Sequence, residues 1–454
     1  MARGKKKEEL TLEEKLERAL VLVDEQPYEV PGNWCWTRLE YVADGFQYGC
    51  TEKATYESVG PKYIRITDIG NGEINEESAP YCKISDEVLN KYKIRKNDIL
   101  IARMGSVGEN GFAKRNMDAV FASYLIRIKP KIVPFYIKYY FQSSYYWFQV
   151  TDKSQGTTRM NMNANVLRNI YIPLPPLPEQ QRIVGQVESL FAKLDEVKEK
   201  VQEVLAGYEL KKVSILQKAI SGKLTQGWRE KNGLSKINWK VISLKECGTW
   251  FGGGTPTTSN NAYWDGGTIP WITSKDMKGR LIEDSLLHIT QEGVNNSSAQ
   301  YCDKPAVLFV MRSGILRRVL PVCMVKVPFT VNQDLKAVIP EKIQQEYLYW
   351  TCTAYEKDIR EKCMKSGTTV ESIETKKLLE YKISLPNEKE QKVIVDIIET
   401  LISKENIAKH IAEMVLDKVE LIKKSILAKA FRGELGTNDQ KEESSIELLK
   451  KVLA

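Results

Sequence analysis

Leu174-Pro175-Pro176-Leu177-Pro178-Glu179-Gln180-Gln181-Arg182-Ile183-Val184 and Leu385-Pro386-Asn387-Glu388-Lys389-Glu390-Gln391-Lys392-Val393-Ile394-Val395 are two versions of one stretch, 211 residues apart. The relation extends without a gap over 69 residues, Gly156–Leu224 against Gly367–Leu435, and 27 positions are identical. Among them are Gly156-Thr157-Thr158 and Gly367-Thr368-Thr369, Ser214-Ile215-Leu216 and Ser425-Ile426-Leu427, and Gly222 and Gly433. A repeat of this length fixes the architecture before any element is assigned. Ahead of each copy the correspondence is loose. Trp34–Leu39 echoes Trp239–Leu244 at an offset of 205, Ile66-Thr67 echoes Ile272-Thr273 at 206, and Arg103 and Gly105 echo Arg312 and Gly314 at 209. The drift means insertions, hence loops that differ between the copies. The chain reads variable, repeated, variable, repeated.

The repeated segments are long helices. Proline-marked entries set an extended approach and are tolerated at a helix start, so the helices are expected to begin near Glu179 and Glu390. In the first, Ile183, Val187, Leu190, Leu194, Val197, Val201, Val204 and Tyr208 recur at alternating spacings of four and three. That is an a/d heptad seam. The matching seam in the second is Ile394, Ile398, Leu401, Glu405, Ala408, Ala412, Val415 and Val419, continuing through Ile422 and Ile426. Each helix should be about 60 Å long at ~1.5 Å per residue. Two such helices in one chain are expected to pack on each other, antiparallel, as a coiled coil. The alternative is that each apolar stripe packs only on its own module.

The variable modules mix short strands with turns and helices, an α+β pattern. Tyr63–Ile66, Ile99–Ala102 and Ala306–Val310 read as strands. Pro134–Phe148 and Glu341–Tyr355 read as aromatic-rich helices, in which Phe135, Tyr136, Tyr139, Tyr140, Tyr145, Tyr146 and Trp147 serve either base stacking or, at helical spacing, a core. The expected domains are a helical segment at 1–30, a variable module at 31–155, a repeated region at 156–235, a second variable module at 236–366, a second repeated region at 367–437, and a tail helix at 438–454.

Composition removes several function classes. The 454 residues carry 67 Lys+Arg against 59 Asp+Glu, a net charge of +8, a mild pointer to an acidic partner such as nucleic acid. No apolar run reaches the ~18 residues a membrane span needs, and the charged start Met1–Leu10 has no signal-peptide core, so a cytoplasmic protein is expected. The eight cysteines form no C-x-x-C pair, and His288 and His410 are solitary, so no metal site is expected and the thiols are read as reduced and packed. There is no G-x-x-x-x-G-K-[ST] loop, and neither Gly105–Gly108 nor Gly252–Gly254 sits in a strand-to-helix turn of a βαβ unit. No catalytic constellation is present.

Binding signals are better placed. Lys153-Ser154-Gln155-Gly156-Thr157-Thr158-Arg159 returns as Lys365-Ser366-Gly367-Thr368-Thr369. Glycine-turn N–H groups, hydroxyls and a cation suit phosphate; the same residues also suit a helix C-cap and turn. Arg65, Arg103, Arg312 and Arg317 stand at strand ends, with Thr67, Ser106, Thr273 and Lys275 beside them. Arginine can hold phosphate or read a guanine edge. These residues are the candidate nucleic-acid contacts.

The whole chain resembles the specificity subunit of a type I DNA restriction–modification system. The resemblance lies in Glu25-Gln26-Pro27-Tyr28-Glu29-Val30-Pro31-Gly32-Asn33-Trp34, in Ile172–Gln181 and its second copy Ile383–Gln391, and in Ser425-Ile426-Leu427-Ala428-Lys429-Ala430-Phe431-Arg432-Gly433-Glu434-Leu435. The second copy departs by Asn387-Glu388-Lys389 in place of the proline run. The resemblance implies two α+β DNA target-recognition domains separated by paired long helices, with pseudo-two-fold symmetry. Each domain would read one half of a bipartite asymmetric site in double-stranded DNA. The helices would set the spacing and dock two methyltransferase subunits and, through them, restriction subunits. S-adenosylmethionine, ATP and Mg would belong to those partners, and this chain would bind no cofactor and catalyse nothing alone. Two rivals are a DNA-modifying enzyme acting alone, which lacks its motifs, and a coiled-coil scaffold that binds no DNA.

Overall fold

The computed structural model describes residues 10–153, 161–234, 238–365 and 370–454. It divides into two compact units, Met1–Val201 with Met414–Ala454, and Gln202–Glu413. Each is α+β, and both use one strand order. In the first unit an antiparallel sheet runs Ala43–Tyr48, Leu125–Pro130, Ile99–Ala102, Asn110–Phe112, and a second sheet holds Ala119–Phe121 parallel to Lys62–Ile64. In the second unit the order is Gly248–Gly252, Leu335–Pro340, Ala306–Val310, Val322–Val325, with Ile269–Ile272 parallel to Thr330–Val331. Continuous apolar runs explain the central strands: Ile99–Ala102 and Ala306–Val310 are buried throughout.

The aromatic segments are core. Tyr136, Tyr140, Tyr146, Tyr347 and Trp350 are buried, so their sequence spacing served packing. The expected helix Pro134–Phe148 is two helices, Pro134–Tyr140 and Ser144–Lys153. Ser143 makes the break, its Oγ accepting from Tyr146 N at 3.3 Å.

The long helices span Leu177–Ile220 and Glu388–Arg432. Both stop at a glycine in the left-handed region, Gly222 at φ +75° and Gly433 at φ +72°. Beyond them the N–H groups of Lys223 and Glu434 return to the carbonyls of Lys218 and Lys429 at 3.0 and 2.9 Å, a Schellman closure in both copies. Their starts are also built alike. Gln180 donates to Pro175 O at 2.9 Å and accepts from Val133 N at 3.1 Å. Gln391 does the same with Pro386 O and Gln344 N, both at 2.9 Å. The glutamine of each repeated Glu-Gln pair is thus a buried clamp tying its long helix to the start of the aromatic helix.

The helices pair antiparallel within each unit. In the first, Ile183 and Val187 share a core with Leu427, Ala430 and Phe431, flanked by ion pairs Lys198–Glu420 (2.7 Å) and Lys423–Asp195 (2.5 Å). In the second, Leu216, Ala219 and Ile220 share a core with Ile394, Ile398 and Ile402, and Tyr208 Oη donates to Asn406. The charged seam position Glu405 meets Lys211 at 3.8 Å.

The seam register differs from the heptad reading. Buried and half-buried positions run 183, 187, 190, 194, 198, 201, 205, 208, 212, 216, 219, and 394, 398, 401, 405, 409, 412, 416, 419, 423, 427, 430. Each row takes ten steps across 36 residues, the ~3.6 of a straight α-helix and not the ~3.5 of a strict heptad. Ile183, Val187, Ile394, Ile398, Ala412 and Val419 are buried, and Leu190, Leu194, Val201, Tyr208, Leu401 and Val415 half-buried. Val197 (42% exposed), Val204 and Ile422 (both 46%) are off the row, as is exposed Ala408. Past Leu194 the row moves to Lys198, whose stem lies along the seam while its ammonium reaches Glu420.

All eight cysteines are buried and unpaired, and burial pushes the thiols of Cys247 and Cys323 up to about 12. Among the described residues no helix is long and apolar enough to cross a membrane.

Candidate nucleic-acid interface

In the first unit the strand Lys62–Ile64 ends in a turn closed by Asp68, whose carboxylate accepts from Arg65 N (2.8 Å), Nε (2.9 Å) and Nη2 (3.1 Å). Asp68 is buried, and its bond holds the Arg65 guanidinium proton more tightly than usual. Thr67 is exposed on this turn. Beside it lies the turn after Ile99–Ala102, carrying Arg103 and exposed Ser106: a methyl group built on Gly105 (φ +72°) would lie 3.7 Å from Ile66 Cδ1. A third segment joins through Ala122 N to Ile64 O (2.9 Å) and Arg103 N to Tyr124 O (3.0 Å). A fourth joins through Met162 N to Arg103 O (2.9 Å).

The second unit builds the same edge with different side chains. Thr273 N and Oγ1 both donate to Asp276 at 2.8 Å, closing the turn after Ile269–Ile272, and Lys275 is exposed on it. Asn332 N donates to Ile272 O (3.0 Å), Met311 N to Asp334 O (2.7 Å) with Arg312 N sharing that carbonyl at 3.3 Å, and Ile373 N to Met311 O (2.7 Å). Arg312 Nε lies 3.5 Å from Asp334, and Arg317 pairs with Glu371, whose carboxyl it holds below the usual range.

The structure thus gathers Arg65, Thr67, Arg103 and Ser106 at one edge, and Thr273, Lys275 and Arg312 at its counterpart. Arg317 stands further along, on the short turn Gly314–Arg317. Thr157, Thr158, Arg159, Thr368 and Thr369 lie outside the described residues. The described flanks of those segments, at Met162 and Ile373, are bonded to the two edges. Sequence reading missed Tyr48, Tyr124, Arg168 and Asp334. Tyr48 and Phe46 gave a faint signal, alternate aromatics on a strand whose outer face is half exposed.

The edges hold cations, hydroxyls and backbone donors. Among the described residues no group of three or more His, Cys, Asp or Glu side chains is placed to hold a metal. Such chemistry recognises polyanions and base edges.

Such edges, built twice on one framework, define a duplicated α+β protein. The type I restriction modification DNA specificity domain matches residues 47–206 and 236–416, and the chain belongs to that family. It is 35% identical over 259 residues to the Type I restriction enzyme EcoR124I/EcoR124II specificity subunit of Escherichia coli, covering 56% of this chain and 61% of that one. To the Type I restriction enzyme EcoBI specificity subunit of Escherichia coli it is 32% identical over 221 residues, 47% of this chain and 46% of that one. The matched region thus spans about half the length of these relatives. The crystal structure of the HsdS subunit from Thermoanaerobacter tengcongensis has a similar fold, with TM-score 0.62 and 20% identity over 91% of this chain and all of that one.

Proposed function

We propose that this chain is the DNA sequence-specificity subunit of a type I restriction–modification complex. Residues 31–155 and 236–366 act as the recognition domains, 156–235 and 367–437 as the helical frame, and 1–30 and 438–454 as the segments that close it. Each recognition domain reads one half of a bipartite, asymmetric site. The observation that carries this reading is the duplicated edge: equivalent backbone hydrogen bonds at 64/122 and 272/332, at 103/124 and 311/334, and at 103/162 and 311/373 present different side chains. A framework kept alike with altered contacts is what reading two different half-sites needs.

The long helices set the spacing and dock two methyltransferase subunits, which bring restriction subunits with them. Supporting this is the apolar surface they leave exposed: Val197, Met414 and Leu421 in one unit, Leu210, Ile407 and Ile411 in the other. The chain is not itself an enzyme and carries no cofactor; S-adenosylmethionine, ATP and Mg act on the partner subunits. It works in the cytoplasm, where it meets double-stranded DNA. Co-expression with the methyltransferase subunit and mapping of modified adenines tests the reading. The expected result is methylation confined to one two-part sequence, and scattered or absent methylation overturns it.

A further inference from the structure

Of the four candidate arginines among the described residues, three are neutralised within the chain: Arg65 by Asp68, Arg312 by Asp334 and Arg317 by Glu371. Arg103 is not. Its guanidinium lies over the Tyr48 ring, 4.7 Å from the centroid, and its Nε is buried without a hydrogen-bond partner. Two residues earlier on the same strand, Phe46 carries a second cation in the same way. The Arg168 guanidinium lies 4.6 Å from that centroid, again with a buried, unpartnered Nε. Among the described residues no carboxylate pairs with either arginine, and neither side chain donates a hydrogen bond.

The ladder is held from behind. Gln47, between the two rings, bonds buried Arg127 on the opposite face of the strand. Tyr48 Oη accepts from Ala164 N at 2.9 Å, and Asn163 caps the short helix Ala164–Arg168 that carries Arg168. The rings and cations are therefore preorganised, not loose surface chains. A half-buried guanidinium with no partner is rare in a folded chain unless a ligand completes it. Among the described residues the second unit has no such ladder: Met311 makes the backbone bonds that Arg103 makes in the first, and the 211-residue offset puts Leu379 in the place of Arg168.

Resting on the DNA-reading function proposed above, we infer that Arg103 and Arg168 are the principal DNA contacts of the first recognition domain, Arg103 reading a guanine and Arg168 holding a phosphate. Arg103 stands where the four edge segments meet and the two units differ. With Nε buried against Tyr48, its Nη pair is the open end of the fork, the geometry that bonds guanine O6 and N7. Arg168 lies outside those divergent turns and supplies charge, which carries affinity without sequence.

The test uses the full chain with its methyltransferase subunits, after the wild-type methylated site has been mapped. Arg103→Lys keeps the charge and removes the fork. It should relax one G·C position in one half-site, cutting discrimination there roughly ten- to hundred-fold, with the other half unchanged. Arg168→Ala should leave the site as it is and weaken binding to a duplex carrying it. The slope of log affinity against log salt should fall by about one. Unchanged methylation by Arg103→Lys and an unchanged slope for Arg168→Ala overturn the inference while the proposed function stands. So does loss of activity that merely follows a lowered melting temperature without relaxed sequence. If the wild-type complex shows no sequence-restricted methylation, the proposed function falls and this inference with it.

Discussion

Glu179 and Glu390 stand in the first turns of the two long helices, and both are buried. They are satisfied differently. Glu179 Oε2 accepts from Trp34 Nε1 at 2.7 Å and Asn438 Nδ2 at 2.8 Å, and Oε1 from Thr437 Oγ1 at 3.3 Å. Every donor there is neutral. Glu390 accepts from Trp239 Nε1 (2.9 Å) on one oxygen, and from Thr225 Oγ1 (2.8 Å) and Arg229 Nη1 (2.6 Å) on the other. Glu179→Gln can keep its carbonyl toward Trp34 and Asn438 while its amide donates to Thr437, so it should cost about 1 kcal/mol. Glu390→Gln must turn an N–H toward either the indole N–H or the guanidinium, and it leaves Arg229 buried without a counter-charge. About 3 kcal/mol is expected, by analogy with broken buried pairs. Urea unfolding of the two variants checks the order, and equal losses would contradict the assigned donors.

At the scale of the element, burial follows the 3.6-residue row rather than the heptad. Val187→Asp places a charge in a buried, apolar contact and should cost several kcal/mol, on the order of 3 or more. Val197→Asp falls on an exposed position and should change stability by no more than about 0.5 kcal/mol. The heptad reading makes both equally damaging, so chemical denaturation of this pair separates the two registers. The helices themselves, their proline-marked starts and their glycine stops were legible in the sequence because those signals are local. The register past Leu194 was not. Val and Lys at 197 and 198 differ in polarity, and a lysine stem that covers the seam cannot be told in advance from one that does not.

For the whole molecule the duplicated plan yields two expectations. On the proposed function, exchanging residues 236–366 for the matching segment of another family member should change one half of the methylated site and leave the other intact, since function resides in sites carried on a shared frame. A swap that altered both halves would count against separate reading. Inserting four residues into each long helix, after Lys200 and after Ile411, adds about one turn and about 6 Å at ~1.5 Å per residue. If the helices set the spacing, the unread gap should lengthen by about one or two base pairs, given a DNA turn of roughly 34–36 Å. Adenine mapping in the folded variant decides it, and an unchanged gap sinks the ruler.

The sequence by itself determined the repeat, the two long helices, the buried strands Ile99–Ala102 and Ala306–Val310, and the candidate arginines. Each of these is written in neighbouring residues or in a fixed offset, and local periodicity needs no knowledge of distant chain. What only the tertiary structure decided was which of those arginines remain free. Arg312 is neutralised by Asp334, and Arg317 by Glu371, 54 residues away, while Arg103 rests on Tyr48; the fold also sets Arg168, which the sequence did not single out, on Phe46. It likewise decided that Asn438, from the far end of the chain, completes the buried shell of Glu179. The strength of a charge depends on what the fold brings beside it, and those partners come from segments whose approach no local pattern encodes.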